Sequence, residues 1–131
     1  MATWNDVRRI ALRLPETTEG LRHDHRTWLV RGKGFAWERP LRKSDLEALG
    51  PKAPKGDILG VYVANLVVKE ARLAARPAVC FTTPHFDGYA AILVRLGKIK
   101  IADLEEMLVE AWLCRAPKTL VRKFEEGGRD A

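Results

Sequence analysis

Cysteine is scarce in this chain: Cys80 and Cys114 are the two among 131 residues. That excludes a disulfide framework and a four-cysteine zinc site, and it makes a reducing cytoplasm the expected compartment. Long apolar runs are missing too. No stretch approaches the roughly 18 residues that cross a bilayer, so no membrane partner is expected. The opening MATWNDVRRIALRLP lacks the apolar centre of a secretory leader. Catalytic signatures are equally thin. No nucleophile elbow, P-loop or dinucleotide fingerprint occurs, and Arg31-Gly32-Lys33-Gly34 lacks the later glycine and following helix of a phosphate loop. Acidic charge is in the minority, with 17 Asp and Glu against 23 Lys and Arg for a net charge of +6. What remains is ample apolar material: 47% hydrophobic residues suffice for one packed core and argue against disorder. The length suits a single domain over residues 1–131.

Thr3 with Asp6 reads as an N-cap and its acidic partner, and Trp4, Val7, Ala11 and Leu14 recur at helical spacing until Pro15. Residues 16–26, polar and carrying Gly20, read as a connecting loop. Residues 27–31 and 34–38 are β-prone, and Gly32-Lys33 between them suits a hairpin turn. Further on, Ser44 and Glu47 form an S-x-x-E capping box for a short helix that Gly50-Pro51 ends. The stretch 42–57 reads as an insertion-like loop on a compact domain. Residues 58–63 read as a strand, Asn65 caps a helix running to about Arg76, and 79–83 form another strand. Asp87-Gly88 marks a turn, and 90–96, apolar on both faces, belongs inside a sheet. Leu104, Met107, Leu108, Ala111 and Trp112 draw the strongest helix, with Asp103, Glu105 and Glu106 in its first turn. Pro117 starts a last helix whose Leu120 and Phe124 face inward, and residues 125–131 are expected to fray. Strands joined by tight turns and flanked by helices predict an α+β fold, a mostly antiparallel sheet with helices packed on one face.

Four stretches together resemble the MmcQ/YjbR family: TWNDVRRIALRLP, WLVRGKGFAW, FTTPHFDGYAAILVRL and AWLCRAPKTL. The FTTPHFDGY block and the RAPK step are the specific parts. The resemblance covers nearly the whole chain, with residues 42–57 least typical, and Ala90 stands where many relatives have proline. It implies a CyaY-like α+β fold and DNA binding through a double-wing arrangement. It supplies no catalytic residues.

The candidate sites follow from the basic residues and one turn. Arg31 and Lys33 flank the first hairpin turn, and a β-ribbon can lie in a groove while its cations meet phosphates. Arg115, Lys118 and Arg122 fall at i, i+3 and i+7, a candidate clamp on a nucleic-acid backbone. The expected function is therefore that of a non-enzymatic protein that touches DNA through phosphates with low sequence specificity. The plainer account of these cations is a solvated face. The alternative function is a small-ligand or protein-interaction domain using Thr83, His85 and Tyr89, beside the turn whose exposed amides suit an anion. Turn-forming and core packing account for the same residues without a ligand. His23-Asp24-His25 reads as surface loop, because two histidines need a third ligand to hold zinc well. No metal and no other cofactor is expected. Cys80 and Cys114 read as buried and inert, and the four tryptophans as core.

Overall fold

The structure, a computed structural model, describes residues 1–127. Helix α1, Trp4–Arg13, begins at its sequence signal: Thr3 Oγ1 accepts from the Asp6 N–H, and Asp6 Oδ2 accepts from the Thr3 N–H at 2.8 Å. This reciprocal pairing satisfies two amides that a helix start otherwise leaves open.

After Pro15 the expected loop is absent. Thr17–Arg22 form strand β1, paired antiparallel with β2, His25–Val30. Their turn is His23-Asp24, both in the left-handed region at φ 52° and 64°. Such turns usually advertise themselves by Asn-Gly or Asp-Gly, and neither is present. β1 is also an edge strand, and edges are kept polar to avoid adventitious pairing. The hairpin expected around Gly32-Lys33 joins β2 to β3, Lys33–Glu38. Its ladder slips once: Leu29 pairs with Gly34 while Trp28 pairs with Ala36, so Phe35 is a supernumerary residue, a β-bulge.

β4, Ile58–Tyr62, β5, Cys80–Phe81, and β6, Ala91–Arg95, complete a six-stranded antiparallel sheet in the order β1-β2-β3-β4-β6-β5. β6 lies between two neighbours, as its two apolar faces predict. β5 is shorter than the run 79–83 suggested, because Pro84 starts a 3₁₀ turn, Pro84–Phe86. The long helices cover one face: α1, α3 (Leu66–Ala75, capped by Asn65), α4 (Ile101–Arg115) and α5 (Lys118–Gly127). Trp28, Phe35, Leu59, Ile92, Leu108 and Trp112 are closed to solvent between them and the sheet. Trp28 and Trp112 thus serve the core, and Trp4 stacks on Trp28 at 6.1 Å.

The opposite face carries a smaller cluster of Ile58, Phe86, Ala91 and Leu93, with Trp37 and Tyr62 packed against it. Helix α2, Lys43–Leu49, packs on the 3₁₀ turn that roofs this cluster. Its cap is not Ser44, which lies within the helix. Asp45 accepts from the Arg42 N–H at 2.8 Å instead, because burial beside Arg39 draws Asp45 inward. Cys80 is buried and burial pushes its thiol up, but Cys114 is exposed, since Trp112 already fills the core beneath the last turn of α4. α5 continues through Gly127, beyond the expected fraying point, and residues 128–131 lie outside the described part. Among the described residues, no helix is long and apolar enough to cross a membrane.

Candidate functional site

The pairing registers place Arg22, His25, Thr27, Gly34, Trp37, Gly60 and Tyr62 on the sheet face away from the long helices. At the β2–β3 turn, Arg31 and Gly32 take positive φ, 47° and 83°. Two arginines from distant elements close on this turn. Arg22 of β1 donates from Nη2 to the Gly32 carbonyl at 2.9 Å, and Arg115, at the end of α4, donates from Nε to the Gly34 carbonyl at 3.1 Å. Arg115 also sits over the Tyr62 ring, 4.4 Å from its centroid. Such contacts fix the direction of a cation whose charge is left for another partner. Among the described residues, no carboxylate oxygen lies within 4.0 Å of a side-chain nitrogen of Arg22, Lys33, Arg42 or Arg115.

Beside the turn lies a hollow of about 290 Å³. Trp37, Tyr62 and Phe86 supply its aromatic surface, and Arg22, Arg42 and Arg115 its cations. Gly60 lies beneath Trp37: a Cβ there would stand 2.4 Å from Trp37 Cε2, so only glycine lets the indole lie on β4. Trp37 meets Tyr62 at 5.2 Å between centroids, a tilted aromatic pair. Glu38 borders the hollow too, but Arg26 holds it at 3.0 Å, and its carboxyl stays below the ordinary range although burial opposes this.

Behind the wall is a buried ion pair. Arg39 Nη1 donates to Asp45 Oδ2 at 2.9 Å and to the Pro40 carbonyl at 2.7 Å, with its guanidinium 5.2 Å from the Phe86 centroid. Burial raises the Asp45 pKa, but the Arg42 N–H and Arg39 outweigh it and hold the carboxyl below its ordinary value. Arg39 lines the hollow, and its Nη2 is closed to solvent with no hydrogen-bond partner. Lys69 of α3 fixes the roof by donating to the carbonyls of Phe86 and Tyr89, at 2.7 and 2.9 Å.

The residues singled out from sequence are distributed as follows. Arg31 is tied into Glu16 by a fork of 2.7 and 2.9 Å. Lys33 is exposed on the turn, and Arg115 bonds the carbonyl of the next residue, Gly34. Lys118 and Arg122 are exposed on α5, bordering a separate groove with Glu125. Thr83 is buried, Tyr89 is exposed and does not line the hollow, and His85 does line it. His23 and His25 join His85 there, so all three imidazoles of the chain border one hollow. Among the described residues, no cluster of three or more His, Cys, Asp or Glu side chains is arranged to hold a metal. Arg22, Arg42, Trp37 and Tyr62 were not legible as site residues.

The YjbR family model matches residues 12–114. The chain belongs to the YjbR family. This YjbR chain is 58% identical, over 127 residues, to uncharacterized proteins of Mycobacterium tuberculosis (Rv2570) and Mycobacterium bovis (Mb2600), covering 95% of its own length and 96% of theirs. Its fold is similar to the crystal structure of Deinococcus radiodurans protein DR2400, a DUF419 domain, with a TM-score of 0.65 at 19% identity. That likeness spans 97% of the YjbR chain and 88% of the other, and it bears on the fold alone.

Proposed function

We propose that this YjbR protein is a cytoplasmic, non-enzymatic DNA-binding module that holds the phosphate backbone with low sequence specificity. The observation that carries the reading is the convergence of Arg22 and Arg115 on the turn bearing Arg31 and Lys33. Among the described residues, three of these four cations have no acidic partner, and Glu16 engages Arg31. A β-hairpin tip of this kind can enter a groove while its cations replace condensed counterions. Lys118 and Arg122 on α5 offer a second, separate basic surface.

Binding of labelled duplex DNA, followed by anisotropy across salt, tests the proposal. With about three phosphates neutralised, the log–log slope is about −2.7, a loss of about 40-fold between 50 and 200 mM salt. Arg22→Gln with Lys33→Gln should flatten the slope by about 2. The absence of binding even at the lowest salt sinks the reading. The alternative, a small anionic ligand at Thr83, His85 and Tyr89, is favoured only at His85, the one of the three that borders the hollow.

A further inference from the structure

We propose that the hollow beside the β2–β3 turn seats one nucleoside phosphate unit, its base against Trp37 and the guanidinium of Arg115, its phosphate between Arg22 and Arg42. The proposal deepens the nucleic-acid reading above and rests on it for the class of ligand, but it adds a recognition step that a duplex cannot make. A paired base is already stacked and cannot enter a hollow of this size.

Size comes first. About 290 Å³ lies at the lower end of small-molecule sites, room for one ring system with a phosphate and little more. Chemistry narrows the occupant further. The indole of Trp37 is only half-buried although it packs on Tyr62 and Phe86, so part of its surface faces the hollow. Arg115 is held over Tyr62, which offers a cationic plane beside that indole. Aromatic and guanidinium planes side by side are how unpaired bases are gripped without regard to sequence. Arg22 and Arg42 are exposed at the rim, their guanidinium groups without acidic partners among the described residues, and guanidinium forks match phosphate oxygens.

A second observation points the same way. Arg39 is 5% exposed, stands in the wall of the hollow, and keeps one buried amino group, Nη2, without an acceptor. Orphaned buried donors are rare because each forfeits hydration without compensation. Since Nη2 is closed to solvent, an anionic group gains this donor when the Pro84–Phe86 turn, whose Phe86 ring lies against Arg39, shifts to admit it. His23, His25 and His85 around the same rim add imidazole donors and acceptors for the ligand's remaining polar edge.

The test uses the whole chain labelled with ¹⁵N, reading the indole N–H signals of its four tryptophans. Trp37→Phe assigns the Trp37 signal. The ligands are deoxyadenosine monophosphate, deoxyadenosine, inorganic phosphate and a short single strand of deoxyadenylate. The nucleotide and the strand should each shift the Trp37 signal saturably. Deoxyadenosine and phosphate alone should bind about tenfold more weakly, since each keeps half of the contacts. Arg42→Gln, at an exposed side chain, should weaken the nucleotide about tenfold while the signals of buried Trp28 and Trp112 stay in place. A strand that binds more tightly than the free nucleotide identifies nucleic acid as the source, and equal affinity identifies the free nucleotide. If neither shifts Trp37, or Arg42→Gln changes nothing, the seat is overturned. Duplex binding without any Trp37 response removes the seat and leaves the backbone reading intact. A Trp37 response without duplex binding does the reverse.

Discussion

At Asp45 a single carboxylate supports both a helix start and a buried guanidinium. Removing one member of a buried pair leaves the other charged and desolvated, which is costlier than the pair itself is worth. Asp45→Ala should therefore destabilise the fold by about 3–5 kcal/mol, read from the urea midpoint. The carboxyl is held below its unfolded value, so its stabilisation is complete above about pH 4 and is lost as the pH falls through the folded value. The variant should accordingly lack that part of the acid sensitivity. Gly60 gives a second prediction. A methyl group there meets the Trp37 indole at 2.4 Å, and overpacking of this sort costs about 1–3 kcal/mol. Gly60→Ala should both lower the melting temperature and shift the Trp37 indole signal of the free protein. Neither residue's role was open to a sequence reading. Ser44 offered the better capping pattern three residues before Glu47, and Gly60 looked like any glycine in a strand, because partners across the sheet decide both.

Among the elements, those with strong local signals were legible: α1 from its capping pair, α4 from its apolar stripe, β6 from its two apolar faces. β1 was not, because an edge strand has no buried face to impose alternation and its turn contains no glycine. The bulge explains why Trp37 read as core. Strict alternation puts Phe35 and Trp37 on the same face, whereas the extra residue sends Phe35 to the helices and Trp37 to the hollow. The 3₁₀ turn Pro84–Phe86 was legible as a turn, but not its dependence on α3. Lys69 reaches it from seventeen residues upstream of Phe86, and its ammonium is held despite burial pushing the pKa down. Lys69→Met leaves the Tyr89 carbonyl without a donor, at about 1–3 kcal/mol, and the Phe86 carbonyl with the Tyr89 N–H alone. Amide exchange at Asp87 and Tyr89 should quicken by more than exchange in β6, whose ladder does not involve Lys69.

For the whole molecule, the expectation that cations far apart in the chain gather after folding bears on the proposed function most directly. Arg115 and Gly34 are 81 residues apart and share a hydrogen bond. The five cations singled out from sequence nevertheless divide. Arg31 is engaged by Glu16, Arg115 bonds the backbone of the residue after Lys33, and Lys118 and Arg122 border another groove. If DNA spans both basic surfaces, the slope of the unaltered protein steepens to about −4.5, and Lys118→Gln with Arg122→Gln should lower it by about 2 in addition to the change at the hairpin, because distant phosphate contacts add. Composition gave the surplus of +6 but could not say where it resides, since that depends on which acids fold against which bases. The bulge has one more consequence at this scale. Since Phe35 is an addition to an otherwise regular ladder, losing it would take a ring from the interior yet leave Thr27 opposite Trp37. Length changes at this one position thus let the protein's durability evolve apart from whatever it grips.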